Sequence, residues 1–266
     1  MASEKKMVFA VLGADARQRA AADHLRQQGW QVVGRERLNA ADVILLPMPL
    51  SGESEELVRL LAGAKPGAQA FGGRVGPAAR QAAAQAGIPL RDYLEREELA
   101  VLNAVPTAEG CIALLLQNRT RTLWNSPVLV LGYGRCGAAL AVRLAALGAR
   151  VTVAARSPGQ RAQAESQGLT ACGLDRLAQL LPGFETVVNT IPAPVLDRRT
   201  LAALAAGSLV IDLASLPGGV DLEAAEALGV RAIRALSLPA RCAPVTAGEF
   251  VADTVLAMLR EEGVCV

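Results

Sequence analysis

The run Val128-Leu129-Val130-Leu131-Gly132-Tyr133-Gly134-Arg135-Cys136-Gly137 constrains this chain more than any other stretch. An apolar strand leads straight into Gly-x-Gly-x-x-Gly, and an alanine- and leucine-rich helical pattern follows at once. Each glycine has a physical task in such a turn. Gly132 permits the tight strand-to-helix reversal, Gly134 lets the backbone approach a pyrophosphate, and Gly137 lets the helix pack against the strand. The N–H groups at the helix start, at Arg135 and Cys136, then face the phosphate charge. Cys136 is expected to pack against the sheet and not to act as a nucleophile. Gly148 closes the helix, and Arg150 to Ala155 reads as the next strand. The stretch therefore predicts a Rossmann βαβ unit that binds a nicotinamide- or flavin-type nucleotide.

The tip of that second strand narrows the nucleotide. Sites selective for NAD place an acidic residue there to accept hydrogen bonds from the ribose hydroxyls. This chain has Ala154 and Ala155, followed by Arg156 and Ser157. Without a carboxylate there is no repulsion against a 2′-phosphate, and a guanidinium and a hydroxyl suit one. NADP is the expected cofactor; the alternative is that Arg156 only caps a strand on a wet surface.

At 266 residues the chain has room for two domains, each with its own core. Hydrophobic residues make up 52% of it and aromatic residues 3%, which fits alanine-rich helices packed closely on sheets. The formal net charge of +2 comes from scattered residues, with no basic stripe or aromatic platform, so nucleic acid is not an expected partner. The five cysteines, Cys111, Cys136, Cys172, Cys242 and Cys265, are far apart and form no Cys-x-x-Cys pair. No metal site is expected, and reduced thiols in the cytosol are. A secretory pattern and a membrane-spanning apolar run are both expected to be absent, which makes the chain a soluble, cytoplasmic protein in expectation.

Strand and helix patterns alternate throughout, which predicts an α/β protein of two doubly wound parallel sheets. In the first half, strands are expected at Lys6 to Gly13, Gln31 to Gly34, Val43 to Pro49, Ala68 to Gly73 and Ile88 to Tyr93. Helices are expected at Asp15 to Gln28, Ser54 to Ala64 and Pro77 to Ala86. A helical region from Glu95 to about Thr122 follows, and Pro106 is expected to break it into two helices, the second opening at Thr107. Beyond the first βαβ unit, Glu185 to Thr190, Ser208 to Ala214 and Val230 to Ala235 read as strands. The expected division is an α/β substrate domain over 1–121 and a Rossmann domain over 122–245. A last helix, 246–262, is expected to pack back on the first domain, with ligands in the cleft at the carboxyl ends of the strands.

Several residues at strand and helix ends are suited to chemistry. Asn189-Thr190-Ile191-Pro192 ends one strand and belongs beside the nucleotide; ordinary turn and cap chemistry explains Asn189 and Thr190 equally. Asp212 directly follows Leu209-Val210-Ile211, where an unpaired carboxylate is expensive, so it either faces a ligand or anchors a loop through hydrogen bonds. Asn103, Thr107 and Glu109 surround the expected helix start at Pro106. There they form either a cap or a carboxylate-binding site. His24, the sole histidine, falls in a helix of the first half, where core or surface filling is the expectation.

Taken together these motifs resemble the A-subunit family of dipicolinate synthase, over nearly the whole chain. The similar segments are Asp15-Ala16-Arg17-Gln18, Asn103 to Gly110, Gly132 to Gly137, and Ala155-Arg156-Ser157. They continue with Asn189 to Pro192, Asp212-Leu213-Ala214-Ser215 with Pro217-Gly218-Gly219, and Leu238-Pro239, Ala243-Pro244 and Thr246-Ala247-Gly248. Val245 stands where a lysine is common in that family, and Arg241 is a nearby substitute. The resemblance implies oxidation of dihydrodipicolinate, or its hydroxylated tetrahydro precursor, to pyridine-2,6-dicarboxylate during sporulation. NADP accepts the hydride, the flavoprotein-like B subunit of dipicolinate synthase is the partner, and the place is the mother-cell cytoplasm of a spore-forming bacterium. It also implies substrate contacts from Asn103, Thr107, Ser215, Arg241 and Thr246, with Thr107, Glu109 and Asp212 as catalytic residues. Oligomerisation with a second copy stays open.

Three other readings compete. D-2-hydroxyacid dehydrogenases share the layout but use a histidine of the nucleotide domain, which this chain lacks. A shikimate dehydrogenase-like enzyme needs a lysine–aspartate pair, whereas the first half offers only Lys5, Lys6 and Lys65. A non-catalytic NADP-binding regulatory subunit is the third, because a cofactor loop implies binding and not turnover. The cofactor expectation has a direct check. Arg156→Asp is predicted to lower affinity for NADP relative to NAD, measured by titrating both nucleotides; an unchanged ratio would move the 2′-phosphate site elsewhere.

Overall fold

The central strands of this α/β chain are buried on both faces, and that decides its layering. A computed structural model describes residues 7–50 and 54–264. The strands are β1 Val8–Val11, β2 Gln31–Val33, β3 Val43–Leu45, β4 Gln69–Gly72, β5 Leu90–Asp92 and β6 Pro127–Leu131. They continue as β7 Arg150–Ala154, β8 Thr170–Cys172, β9 Thr186–Asn189, β10 Leu209–Asp212 and β11 Arg231–Arg234. The helices are α1 Ala16–Gln27, α2 Ser54–Ala62, α3 Pro77–Gln85, α4 Glu97–Asn118, α5 Arg135–Ala146 and α6 Pro158–Ser166. Then come α7 Leu177–Leu180, α8 Arg198–Leu201, α9 Leu222–Ala227, α10 Leu238–Cys242 and α11 Pro244–Glu261.

Two compact units result, one up to Asn103 together with Ala243 onward, the other Ala104–Cys242. The sequence pattern places these divisions later, after residues 121 and 245. In the first unit a five-stranded sheet runs β2-β1-β3-β4-β5, every pair parallel. Alternate residues of one strand enter separate cores: Ala10, Ile44 and Ala70 join one, Phe9, Val43 and Phe71 the other. Helix α11 seals the second of these through Val251, Val255 and Leu259. It packs closely on α1, since a methyl group at Gly248 would lie 2.3 Å from the carbonyl oxygen of Arg17.

The second unit has six parallel strands in the order β11-β10-β9-β6-β7-β8. Counted within the unit this is the doubly wound dinucleotide-binding order, with the topological switch between β6 and β9. Val128 and Val130 face one core, Leu129 and Leu131 the other. Parallel strands buried on both faces need such continuous apolar runs.

The structure departs from the sequence expectations at several elements. Helix α4 runs unbroken through Pro106. The backbone bond lost at a proline is the one to the residue four before it, here Leu102, a solvent-exposed residue where water can replace it. Strand β8 is not foreseen from the sequence because three residues, Thr170–Cys172, carry too short a pattern to distinguish from a loop. Between β9 and β10 the only α-helix among the described residues is the four-residue α8. The expected start of β1 at Lys6, and Cys265, lie outside the described residues. Among the described residues one helix, α4, is long and apolar enough by length and composition to cross a membrane, contrary to the sequence expectation. Its Ala108, Cys111 and Leu115 are buried in the core of the second unit.

The closeness of α11 to α1 yields a stability prediction. Gly248→Ala is expected to cost about 1–3 kcal/mol through overpacking, read as a lower urea midpoint. An unchanged midpoint would show that the two backbones can separate freely.

Candidate functional site

The glycine loop after β6 divides its three glycines between two jobs. Gly132 has φ +91°, the left-handed region, and a methyl group there would meet Thr190 Oγ1 at 2.5 Å. At Gly137 it would lie 2.2 Å from the carbonyl oxygen of Gly132. These two are glycines because the protein itself fills the space. Gly134 differs: a methyl group there would meet no heavy atom within 4 Å. Gly134 is also the N-cap of α5, and no side chain caps that helix. No side chain therefore takes the place of an anion at the start of α5. Thr190 holds the arrangement from behind, its hydroxyl donating to the Leu131 carbonyl at 2.8 Å.

Cys136 lies just inside α5, and burial pushes its thiol up against the opposing influence of Arg135. The thiol is thus neutral near neutral pH, in keeping with packing and not nucleophilic work.

At the tip of β7, Arg156 and Ser157 are both exposed. Ser157 is the N-cap of α6 and makes no side-chain cap hydrogen bond, and Pro158 follows it. Their backbone is fixed by a residue that sequence reasoning misses. Arg161 Nη1 donates to the carbonyl oxygens of Ala155 and Arg156, at 3.0 and 2.8 Å. A guanidinium one helical turn into α6 gives no signal in the sequence, because only the fold turns it back on the strand end. An open glycine, an uncapped helix start and an exposed arginine and serine at the β7 tip fit a nicotinamide dinucleotide.

A buried carboxylate organises the other strand ends. Asp212 is 0% exposed. Its Oδ1 accepts from Asn189 Nδ2 at 2.8 Å and from the Ala214 N–H at 3.2 Å; its Oδ2 accepts from the Gly219 N–H at 3.2 Å. Arg234 Nε lies 3.7 Å from Oδ2 as the counter-charge. Asp212 and Arg234 are register partners on β10 and β11, a pairing no local motif reveals. Of the two readings left open for Asp212, this geometry fits the loop anchor and not a ligand-facing base. Asn189 is equally committed: it is 0% exposed, donates to the Ile191 carbonyl and accepts from the Ile191 N–H. Ile191 is partly exposed, and Pro192 is exposed.

The hinge residues change character. Thr107 and Glu109 sit well inside α4, ten and more residues past its start at Glu97, so no free helix N-terminus exists there to bind a carboxylate. Two residues apart on a helix, they also face different ways. Glu109 is exposed. Thr107 shares a face with Gly110, which abuts α10: a methyl group at Gly110 would meet Cys242 Sγ at 2.7 Å. The Cys242 thiol donates to the Pro106 carbonyl at 3.2 Å. Helix α10 carries Arg241, which is exposed, and Ser215 is exposed in the loop after β10. Asn103 and Thr246 belong to the first unit. His24 lies on α1, with Nε2 2.8 Å from Asp253 Oδ1 of α11. Among the described residues no group of three or more His, Cys, Asp or Glu is placed to hold a metal ion.

Comparison with known proteins agrees with this geometry. Residues 112–220 match the family model described as D-isomer specific 2-hydroxyacid dehydrogenase, NAD binding domain. The dipicolinate synthase A subunit of Bacillus subtilis (strain 168) is 40% identical over 179 residues, which are 67% of this chain and 60% of that relative's length. The crystal structure of the dipicolinate synthase A subunit from Bacillus halodurans superposes with a TM-score of 0.85 at 30% identity, covering 96% of this chain and 97% of the other. That of the A chain of dipicolinate synthase from Bacillus subtilis gives 0.84 at 31%, covering 97% of each.

The anchoring role of Asp212 is testable by stability. Asp212→Asn leaves Arg234 without its counter-charge and is predicted to cost about 2–3 kcal/mol, seen as a lower thermal midpoint. Wild-type stability in that variant would return Asp212 to the list of candidate bases.

Proposed function

The chain belongs to the A-subunit family of dipicolinate synthase, and from that premise we propose that it oxidises dihydrodipicolinate, or its hydroxylated tetrahydro precursor, to pyridine-2,6-dicarboxylate. The carrying observation is the open face at Gly134 beside the uncapped start of α5, in a Rossmann unit of this family. Bound at this loop, NADP supplies the hydride acceptor. The N–H groups opening α5 hold its pyrophosphate, while Arg156 and Ser157 hold the 2′-phosphate; the absence of any carboxylate at Ala154 and Ala155 supports NADP over NAD. Residues 189–192, fixed by Asn189, line the nicotinamide end.

The substrate side needs less chemistry than orientation. Dihydrodipicolinate loses a hydride and a proton and becomes aromatic, so the driving force lies in the product. The hydroxylated precursor loses water as well. Thr107 and Arg241 hold a carboxylate, a reading supported by Arg241 on α10, the helix that the Thr107 face of α4 abuts. Asp212 is spent on its loop, and Glu109 faces away from Thr107, so neither is given the proton; it leaves to water as the ring forms. The partner is the flavoprotein-like B subunit, a reading supported by the relatives' names, which make each of them one component of a larger synthase.

Mixing the purified chain with NADP and freshly generated dihydrodipicolinate, with and without the flavoprotein-like partner, is expected to produce NADPH absorbance and dipicolinate together. Glu109→Gln is expected to keep kcat/KM within about threefold, against the roughly 100-fold or greater loss typical of a general base. Nucleotide binding without any reduction would replace this reading with a regulatory NADP-binding protein.

A further inference from the structure

We propose that the Asp15-Ala16-Arg17-Gln18 turn of the first unit is a carboxylate-binding site with Arg17 as its cation. Its ligand is a carboxylate of the dicarboxylate substrate, an identity that rests on the function proposed above.

The topology puts this turn where ligands bind. In the sheet order β2-β1-β3-β4-β5 the winding reverses between β1 and β3. Connections from these two strands leave toward opposite faces, which opens a crevice at their carboxyl ends. The two segments flanking it are Leu12 to Asp15, after β1, and Leu46 to Met48, after β3. Arg17 spans them, its Nη2 donating to the Met48 carbonyl at 3.1 Å.

Local bonding aims the guanidinium without exhausting it. Asp15 caps α1, accepting from the Arg17 and Gln18 N–H groups at 2.8 and 3.1 Å, and from Arg17 Nη2 at 3.1 Å. Burial opposes ionisation of this carboxyl, but the hydrogen bonds from Arg17 and Gln18 prevail and hold it below the usual carboxylate range. Asp15 is thus an anion at neutral pH, fully engaged in fixing helix and arginine. Arg17 keeps its other donors. Its Nε is buried with no hydrogen-bond partner, and its Nη1 has none among the described residues. The side chain is only 15% exposed. Gln18 is 4% exposed; its Nε2 donates to the Leu46 carbonyl at 2.9 Å, and its Oε1 is unpartnered.

Buried polar groups are ordinarily satisfied, so an idle guanidinium donor at a topological switch point indicates a missing acceptor. Asp15 and Met48 together take both protons of Nη2. The protons left on Nη1 suit a carboxylate oxygen through a charge-assisted hydrogen bond. Tyr93, 1% exposed, adjoins Arg17, and burial pushes its phenol up, so it stays neutral and does not compete for the cation.

The test is calorimetric titration of the full chain with pyridine-2,6-dicarboxylate, using the uncharged pyridine-2,6-dicarboxamide as control. Wild type is expected to bind the dicarboxylate and not the diamide. Arg17→Gln should weaken binding at least tenfold, and Arg17→Lys, which keeps the charge but loses the fixed direction of the guanidinium donors, should fall between. NADP affinity should stay within twofold in both variants. If Arg17→Gln proves unstable in a thermal melt, Arg17→Lys decides alone. Unchanged dicarboxylate affinity in the stable variants, or no binding by wild type, overturns the site. Arg17-dependent binding in a chain that never reduces NADP would uphold the site while removing the proposed reaction; turnover with an Arg17-independent KM would do the reverse.

Discussion

A carboxylate sealed from water at the end of β10 sets the form of the whole ligand-facing edge of the second unit. Asp212 has to be satisfied completely, because an uncompensated buried charge costs several kcal/mol. Its partners come from β9, from the loop after β10 and from β11, so one side chain fixes three neighbouring strand ends. Asn189, pinned by Asp212, in turn holds the backbone at Ile191. The segment beside the nucleotide loop is thereby rigid before any ligand arrives. Such preorganisation is what an enzyme relying on orientation requires.

The glycine loop shows the same division between self-packing and ligand contact. Gly132 and Gly137 are dictated by Thr190 and by the loop's own backbone, while Gly134 alone opens outward. A Gly-x-Gly-x-x-Gly pattern is therefore mostly a folding requirement with one position left for function. Arg161 plays the corresponding part at the β7 tip, holding the backbone that displays Arg156.

The first unit repeats this logic at its own switch point. Asp15 spends its charge on the start of α1 and on Arg17, which leaves the arginine aimed but incompletely bonded. In both units a carboxylate serves as scaffold, and the groups that remain for ligands are donors. A chain whose proposed substrate carries two carboxylates gains from that arrangement, because N–H donors attract the ligand while the scaffold carboxylates are already paired with donors of their own.

Much of this was legible in the sequence. Strands such as Val128 to Leu131 are apolar at every position, which requires burial on both faces and hence a doubly wound parallel sheet. Gly132 to Gly137 specify the turn because only glycine tolerates the positive φ and the close backbone approach. Arg156 and Ser157 could be placed because a strand tip is a local address. Tertiary structure alone decided the rest. Pro106 does not break α4, since the bond it forfeits falls at an exposed residue. Thr107 and Glu109 part company because a continuous helix turns residues two apart to different sides. Asp212 is an anchor because strand register brings Arg234 beside it, and Arg17 is left partly unbonded because Met48, thirty-one residues away, takes only one of its nitrogens. Local sequence encodes periodicity and backbone permission; which charges meet, and which donors stay free, depends on distant segments brought together only by the fold.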